Sequence, residues 1–299
     1  MPAKWMKCPD GETIEIADCL SIGGCRMPHR CATLPYLETI SYDREFKGVS
    51  PSAAGNGPRL ICLIASSPYA IDPAKRVFAA HGTGVHDKLS IHKYTRDVLS
   101  EERLSDKDMA GIADVLEQDE SDPGFYVLTD YKTFGSFKVA RCLGITQQDQ
   151  PILDKDGEPV LLKSGKNKGK PKTRKITTTN PEKADLKQIS LQLNRYRIFF
   201  ETSGFPVSRI QIQVMVRDGG LWIAKQRGIE KELMLIPIPR MDDKEVLQYY
   251  RELQAQVDEA FETGWIRKCN SWESWDGRRC AGWCDVKHEC EEMDKKGGR

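Results

Sequence analysis

The cysteines constrain the fold of this chain more than any other feature of its sequence. Ten cysteines occur in 299 residues, four near each end and two alone in between. No export signal is visible at the start of the sequence, and in a reducing compartment clustered cysteines are metal ligands more often than disulfides. We therefore expect two cysteine-rich metal-binding ends around a globular middle. The cysteines are Cys8, Cys19, Cys25 and Cys31, then Cys62 and Cys142, then Cys269, Cys280, Cys284 and Cys290.

The composition predicts a globular protein with a net charge near zero, so any basic surface must be a local patch. Hydrophobic residues make up 39% of the chain and the mean hydropathy is -0.53, which excludes a chain that is disordered throughout. The 45 Lys and Arg residues balance 44 Asp and Glu residues, which excludes a uniformly basic nucleic-acid coat protein. The longest apolar run, residues 60–65, is far too short to span a membrane. We expect a cytoplasmic protein with no membrane partner.

Shifts in composition divide the chain into three parts. Residues 1–58 and 265–299 are cysteine-rich, and residues 59–264 carry the apolar patterns of a core. Within the core, residues 150–181 are basic, rich in glycine and almost without apolar side chains, which predicts a mobile insertion. Its cations are expected to bind DNA phosphates without sequence preference, and the alternative is a solvated loop. They are Lys163, Lys166, Lys168, Lys170, Lys172, Arg174 and Lys175.

The apolar periodicity of the core predicts helices and strands in mixed order. Helices are expected at 72–93, 181–202 and 242–263, and strands at 109–116, 125–133, 207–216 and 232–239. We expect Gly82 and Gly84 to break the first helix into two pieces. This order indicates an α/β (α+β) fold with a mixed central β-sheet flanked by helices.

Two acidic residues and a lysine are expected to converge on one patch of this sheet. Asp130 and Lys132 are two positions apart on a predicted strand, so their side chains leave the same face. A hairpin that folds about a turn at 120–124 would place Asp114 opposite residue 129 or 130. A divalent cation neutralises converging carboxylates, and oxygen ligands select Mg²⁺ or Mn²⁺. The alternative is a solvated Asp130–Lys132 ion pair without a chemical role.

The order of these residues resembles a family of metal-dependent nucleases. The segment from residue 73 to residue 240 is similar in its motifs to the PD-(D/E)XK nuclease superfamily, in particular to its RecB-like branch of phage-type exonucleases and CRISPR-adaptation nucleases. Asp130 stands where many members carry glutamate. The motifs are, in chain order, His86, Gly111-Ile-Ala-Asp114, Asp130-x-Lys132 and Gln192-x-x-x-Tyr196.

The resemblance implies a restriction-endonuclease-like nuclease core that hydrolyses phosphodiester bonds with metal-activated water. It implies that Lys132 positions this water, and that Gln192 and Tyr196 contact the substrate or brace the site. The alternative for Tyr196 is a place in the core, because it lies on the apolar stripe of its predicted helix. The implied ligands of the Mg²⁺ or Mn²⁺ ion are His86, Asp114, Asp130 and the backbone carbonyl of Tyr131.

Several RecB-like nucleases hold a [4Fe-4S] cluster between one cysteine before the nuclease motifs and three after them. The resemblance implies such a cluster, or Zn²⁺, on Cys31, Cys280, Cys284 and Cys290. Here the first gap is three residues instead of the usual two. The second possible zinc set is then Cys8, Cys19, Cys25 and Cys269. Two alternatives remain open: each group of four binds its own Zn²⁺ ion at its own end of the chain, or the thiols are buried and free.

We therefore expect a Mg²⁺- or Mn²⁺-dependent deoxyribonuclease, an exonuclease rather than an endonuclease, in recombination, repair or phage DNA processing. Its expected partners are DNA and a recombination or annealing protein or a helicase, in a bacterial or phage-infected cytoplasm. The oligomeric state stays open. The alternatives are a non-catalytic, zinc-stabilised DNA-binding module and an accessory subunit of a helicase–nuclease complex.

Overall fold

Strands and helices are mixed along the chain in the computed structural model, which describes residues 3–41, 45–91 and 98–297. The strands are β1 (Ala3–Lys7), β2 (Thr13–Glu15), β3 (Tyr69–Ile71), β4 (Val98–Ser105), β5 (Ala110–Gln118), β6 (Tyr126–Phe134), β7 (Ile145–Pro151), β8 (Thr173–Thr179), β9 (Val207–Val216) and β10 (Leu233–Pro237). The helices are α1 (Ile16–Leu20), α2 (Leu34–Ser41), α3 (Pro58–Ser66), α4 (Pro73–Ser90), α5 (Ser136–Cys142), α6 (Lys187–Thr202), α7 (Trp222–Gln226), α8 (Asp243–Thr263), α9 (Arg278–Gly282) and α10 (Lys287–Gly297). Short 3-10 helices cover Pro51–Ala53 and Pro181–Lys183.

The strands form three sheets. The first has the order β2-β1-β3, in which β1 is antiparallel to β2 and parallel to β3. The second has the order β10-β9-β6-β5-β4, and β7 pairs with β8 in the third. The expected α/β class, with mixed sheets flanked by helices, is confirmed. Among the described helices, none combines the length and apolar composition that a bilayer span requires.

The chain divides into two compact units. Unit 1 consists of Met1–Leu128, Gln188–Ile210 and Pro239–Arg299, and unit 2 of Thr129–Lys187 and Gln211–Ile238. Both cysteine-rich ends therefore belong to unit 1.

One apolar cluster of unit 1 joins residues from both ends of the chain. Met6, Leu37 and Val286 are buried in it together with Cys19, and Cys269 packs against it. Burial of apolar surface is the main favourable term in folding, so this cluster stabilises the packing of the chain ends on each other. The two isolated cysteines are buried, and burial raises the pKa of Cys62 and of Cys142 to about 11. Both are thus protonated and unreactive at neutral pH.

Five predicted elements are confirmed within two residues at each end: β5, β6, β9, β10 and α8. The start of α8 shows why such boundaries are readable. The Asp242 carboxylate accepts hydrogen bonds from the backbone N–H groups of Lys244 (2.9 Å) and Glu245 (3.3 Å), and aspartate is a residue type that favours this N-cap position.

The predicted break in the first helix is wrong, because α4 runs unbroken from Pro73 to Ser90. A glycine inside a helix costs about 1 kcal/mol relative to alanine but does not stop the helix. The Asp72 side chain caps the start by accepting a hydrogen bond from the Ala74 N–H (3.0 Å), and α4 packs on α2. Residues 92 and 93, the end of the predicted helix, lie outside the described residues.

The basic insertion has more regular structure than its sequence indicates. Its two ends belong to β7 and β8, which pair antiparallel from Ile145 opposite Thr179 to Pro151 opposite Thr173. Bridges between Leu153 and Pro159 and between Leu161 and Pro171 extend this ribbon. The helix predicted from residue 181 begins only at Lys187, since a 3-10 turn occupies the first positions. Mobility of the insertion stays a prediction.

Candidate metal centre

Three side chains from three elements of unit 1 bring potential metal ligands together. His86 comes from α4, Glu101 from β4 and Asp114 from β5, and one ligand atom of each lies within 4.8 Å of the other two. The His86 Nδ1 atom is 3.4 Å from Asp114 Oδ1 and 3.7 Å from Glu101 Oε1. Among the described residues, this is the only group of three with such spacing. We call it the His86 cluster.

The pairing of β4 with β5 explains why the two carboxylates meet. Ser100 lies opposite Val115 and Glu102 lies opposite Ala113, so Glu101 and Asp114 face each other across the antiparallel pair. Like charges in directly opposite positions destabilise a sheet. A positive charge between them, from a cation or a protonated His86, removes this cost.

The electrostatics of the cluster agree with this geometry. Burial raises the pKa of the Glu101 carboxyl above its ordinary value, the neighbouring Asp114 raises it further, and His86 lowers it. Asp114 is buried, whereas the side chains of His86 and Glu101 are about one-third exposed (30% and 32%). The cluster can therefore be reached by an ion and a substrate from solvent.

The backbone of Glu101 is held in an unfavourable conformation. Its φ is 53°, the left-handed region that residues with a side chain rarely adopt. Such a conformation costs about 1–2 kcal/mol and persists where the surrounding structure requires it, often at functional sites.

The residues of the His86 cluster fit a divalent cation. One imidazole nitrogen and two carboxylate oxygens are donors that Mn²⁺ accepts, while Mg²⁺ prefers oxygen alone. The histidine thus favours Mn²⁺ over Mg²⁺. His86, Glu101 and Asp114 would hold such an ion, which would supply Lewis-acid chemistry at the cluster.

Glu101 was not anticipated from the sequence. The strand that carries it, β4, was not predicted, because its central residues are charged and it lies at the edge of its sheet. The available signal was the set of apolar residues Val98, Leu99 and Leu104 on either side of the acidic pair. Only the pairing with β5 shows which acidic residue of β4 faces Asp114.

The predicted motif residues Gln192 and Tyr196 lie on α6. Tyr196 is buried, and its ring edge lies against Gly111 of β5: a Cβ atom at Gly111 would come within 2.8 Å of Tyr196 Cε1. Side chains alternate along a strand, so Gly111 and Asp114 point to opposite faces of β5. This contact supports the packing interpretation of Tyr196. The half-buried Gln192 lies one turn earlier, and the roles of both residues at the substrate stay predictions.

Replacing Gly111 with alanine is expected to destabilise the protein by about 1–3 kcal/mol, the usual cost of overpacking a core. The new methyl group would lie 2.8 Å from Tyr196 Cε1 and 2.8 Å from Pro51 Cδ, so both rings or the strand itself must shift. Urea unfolding of the two proteins measures this difference.

Gly84→Ala is the matched control. Gly84 lies inside α4 with no atom within 4 Å of the position of a Cβ, so alanine is expected to stabilise the protein by about 1 kcal/mol. If Gly111→Ala is as stable as the wild type, the close packing at Gly111 is wrong.

In unit 2, the Asp130–Lys132 pair lies on β6. The Lys132 Nζ atom forms an ion pair with Asp130 Oδ2, which confirms that the two side chains share one face of the strand. Asp130 is 2% exposed, so its carboxylate is held in place by its surroundings. The metal-binding roles of Asp130 and of the Tyr131 carbonyl, and the convergence of Asp114 with Asp130, stay predictions.

The seven cations of the insertion are all exposed on the β7–β8 ribbon and the turns beyond it. Arg174 donates a hydrogen bond from Nε to Gln150 Oε1 across the ribbon (3.0 Å). A ribbon that carries exposed cations along its length can lie against a phosphate backbone.

The cysteines at the start of the chain gather around one cavity. Cys8, Cys19, Cys25 and Cys31 all line it. Burial is the main cause that raises the pKa of the Cys8 thiol, and the neighbouring Cys31 and Cys25 add to it. Cys31 thus lies with the other three cysteines of its own end, which favours the partition by chain end over the set that joins Cys31 to the C-terminal trio.

The cysteines at the other end influence one another in the same way. The pKa of Cys284 is raised to about 11, by burial first and with contributions from Cys280 and Cys290. The pKa of Cys269 is also raised, by burial first and then by Glu273, with contributions from Cys290 and Cys280. Four thiols in one neighbourhood fit either Zn²⁺ or an iron–sulfur cluster.

The comparisons with known proteins add no family to this description. The chain matches no protein-family model. It also shows no significant similarity to a curated protein sequence.

Proposed function

We propose that this protein is a divalent-metal-dependent deoxyribonuclease. The observation that carries the proposal is the His86 cluster, in which an imidazole and two opposed carboxylates meet at the surface of unit 1. The sequence motifs that resemble RecB-like nucleases include two of its three members, His86 and Asp114. Geometry and motif order therefore support the same kind of site independently.

The chemistry of the cluster suits phosphodiester hydrolysis. A bound divalent ion supplies a water of lowered pKa and neutralises negative charge on a phosphoryl oxygen. His86, Glu101 and Asp114 would hold this ion. Because His86 and Glu101 are partly exposed, the phosphate of a DNA strand can approach the cluster from solvent.

The proposal gives Lys132 the role that the family resemblance implies, which is to position the attacking water. The Asp130 carboxylate orients the Lys132 ammonium through their ion pair. A fixed ammonium group can hold the attacking water and stabilise the charge that develops in the transition state. Asp130 would contribute a further oxygen ligand beside its lysine.

We propose that the substrate is DNA and that the protein acts as an exonuclease. Its proposed partner is a recombination or annealing protein or a helicase, and its proposed location is the cytoplasm. The basic β7–β8 ribbon supports a polyanionic substrate, since its cations are exposed. The cysteines of the C-terminal end would hold Zn²⁺ or a [4Fe-4S] cluster that braces the fold. A non-catalytic DNA-binding module is the second candidate, and it would need the ribbon and the cysteine sites but not the His86 cluster.

A nuclease assay on labelled single-stranded and double-stranded DNA tests the proposal. We expect cleavage with Mn²⁺, slower cleavage with Mg²⁺ and none with EDTA. Glu101→Gln removes one carboxylate of the cluster and should abolish cleavage, whereas Glu102→Gln, at the neighbouring exposed position of β4, should not. Full activity of Glu101→Gln, or no cleavage by the wild type under any of these conditions while it binds DNA, would favour the binding module.

The cations of the ribbon lead to a separate prediction about how DNA affinity depends on salt concentration. Replacing Lys166, Lys168 and Lys170 with alanine is expected to weaken DNA binding and to reduce the slope of log K against log salt by about 2–3, roughly 0.7–0.9 for each phosphate that the variant no longer neutralises. Fluorescence anisotropy with labelled DNA at several salt concentrations measures this slope.

The control for the ribbon variant carries the same change of charge elsewhere. Lys225, Lys231 and Lys244 are exposed and lie outside the ribbon. If their replacement by alanine changes the slope as much as the ribbon variant does, the ribbon has no special part in DNA binding.

A further inference from the structure

We propose that Cys8, Cys19, Cys25 and Cys31 bind a single Zn²⁺ ion that fixes the first segment of unit 1, independently of any nuclease activity. All four cysteines line one cavity, and they reach it from three different pieces of chain. Cys8 follows β1 in the turn to β2, Cys19 lies on α1, and Cys25 and Cys31 lie in the loop between α1 and α2.

The turn that carries Cys8 is closed by its own backbone. The Cys8 N–H donates to the Glu12 carbonyl (2.7 Å) and the Gly11 N–H donates to the Cys8 carbonyl (3.0 Å). Cys19 is 6% exposed and lies within the apolar cluster of unit 1. Two of the four ligands are therefore held in place by the fold before a metal binds.

The loop that supplies the other two ligands is held by turn and side-chain contacts instead of regular structure. Residues 21–33 contain no regular helix or strand, and Ile22 is fully exposed. At Gly24 the chain passes so close to α1 that a Cβ atom would lie 2.0 Å from the Asp18 carbonyl oxygen. Long loops without secondary structure of their own are uncommon in compact domains, and a bound ligand can order them. A metal ion on Cys25 and Cys31 would do so.

The small cavity and its four sulfur ligands suit a single ion. The volume of the cavity is about 10 Å³, close to the volume that holds one water molecule. One Zn²⁺ ion needs no larger space than this. Sulfur ligands at four positions select Zn²⁺ among the common single ions. By contrast, Cys280 and Cys284 line a space of about 260 Å³.

The charges around the cavity suit a tetrathiolate zinc site. Zn²⁺ with four thiolates carries a net charge of about −2. Lys7, Arg26 and Arg30 all line the cavity and can balance that charge. Arg30 is held by hydrogen bonds from its guanidinium to the carbonyl oxygens of Cys19 and Ser21, the latter 2.5 Å long. Such an anchored cation next to the ligands lowers the cost of forming thiolates.

Metal binding must draw the sulfur atoms closer together. Among the described residues no three cysteine sulfurs lie within 4.8 Å of one another. Zn–S bonds of about 2.3 Å in a tetrahedron place the sulfur atoms about 3.8 Å apart. Because Cys25 and Cys31 lie on an irregular loop, this contraction needs no change in β1 or α1.

The metal content of the full-length protein tests the proposal. We expect the Cys25→Ser/Cys31→Ser variant to contain one zinc ion per chain fewer than the wild type. Inductively coupled plasma mass spectrometry measures the zinc content. Cys142→Ala is the matched control, since it removes a cysteine that does not line the cavity, and it should keep the full zinc content. Equal zinc content in the wild type and the double variant would overturn the proposal. So would a double variant that loses iron instead of zinc relative to the wild type.

A measurement on the wild type keeps the proposal testable if the double variant does not fold. In the zinc-loaded protein we expect alkylation of Cys8, Cys19, Cys25 and Cys31 to be slower by about tenfold or more than after removal of zinc with a chelator. Mass spectrometry of peptides gives the rate for each residue. Because Cys31 is exposed, it decides the outcome: alkylation of Cys31 at the same rate with and without zinc would refute the site.

Discussion

Replacement of Asp114 by asparagine is expected to reduce DNA cleavage by about 10³-fold or more and to weaken Mn²⁺ binding. Asp114 is the buried member of the His86 cluster, and its Oδ1 atom lies 3.4 Å from His86 Nδ1. Asparagine has the same shape but no charge, so it neutralises less of the metal's charge. Several kcal/mol of transition-state stabilisation depend on a bound ion, and each 1.36 kcal/mol is a factor of about ten in rate.

The same substitution should not unfold the protein. Asp114 faces Glu101 across β4 and β5 and raises the pKa of that carboxyl. Loss of one of two opposed charges removes a repulsion but also weakens the contact with His86, so the free energy of unfolding without metal should change little. Calorimetric titration with Mn²⁺, a nuclease assay and thermal unfolding separate these effects.

Glu117→Gln is the control for Asp114→Asn. Glu117 lies on the same strand, is exposed and stands opposite Val98. We expect it to leave cleavage and Mn²⁺ binding unchanged. If Asp114→Asn cleaves DNA as fast as the wild type, the His86 cluster does not carry the activity.

Replacement of Lys132 by methionine is the second large expected effect, a fall in cleavage of about 10²–10³-fold. This is the usual cost of removing one preorganised group that stabilises transition-state charge. Mn²⁺ binding at the His86 cluster and binding of DNA should change little, because Lys132 is not a ligand in that cluster. The measurement therefore compares rates of cleavage at saturating Mn²⁺ and DNA.

Lys132→Met also disturbs stability, which a second variant can correct. Asp130 is buried beside Lys132, and loss of one partner of a buried ion pair costs up to about 3–5 kcal/mol. Asp130→Asn/Lys132→Met removes both charges and should recover much of that stability without recovery of cleavage. If the double variant recovers both, the pair has a structural role and no part in hydrolysis.

Local patterns were enough to predict several elements of this fold. The cap at Asp242, the alternation along β9 and the helical spacing of α6 depend on neighbours within a few positions, so the sequence shows them directly. Gly82 and Gly84 misled the interpretation of α4, because a helix propensity of about 1 kcal/mol per glycine is smaller than the contribution of packing and capping. The β7–β8 ribbon was missed because its strands are polar and exposed and lack an apolar face.

The amino-acid sequence alone was sufficient to show that Asp130 and Lys132 share a face, since residues two positions apart on a strand point to the same side. It also indicated that His86 and Asp114 are candidate ligands. Only the tertiary structure shows that Glu101 lies beside them and that Cys31 lines the same cavity as Cys8, Cys19 and Cys25. Strand pairing and loop packing join residues far apart in the chain, and no local spacing encodes which distant side chains they bring into contact.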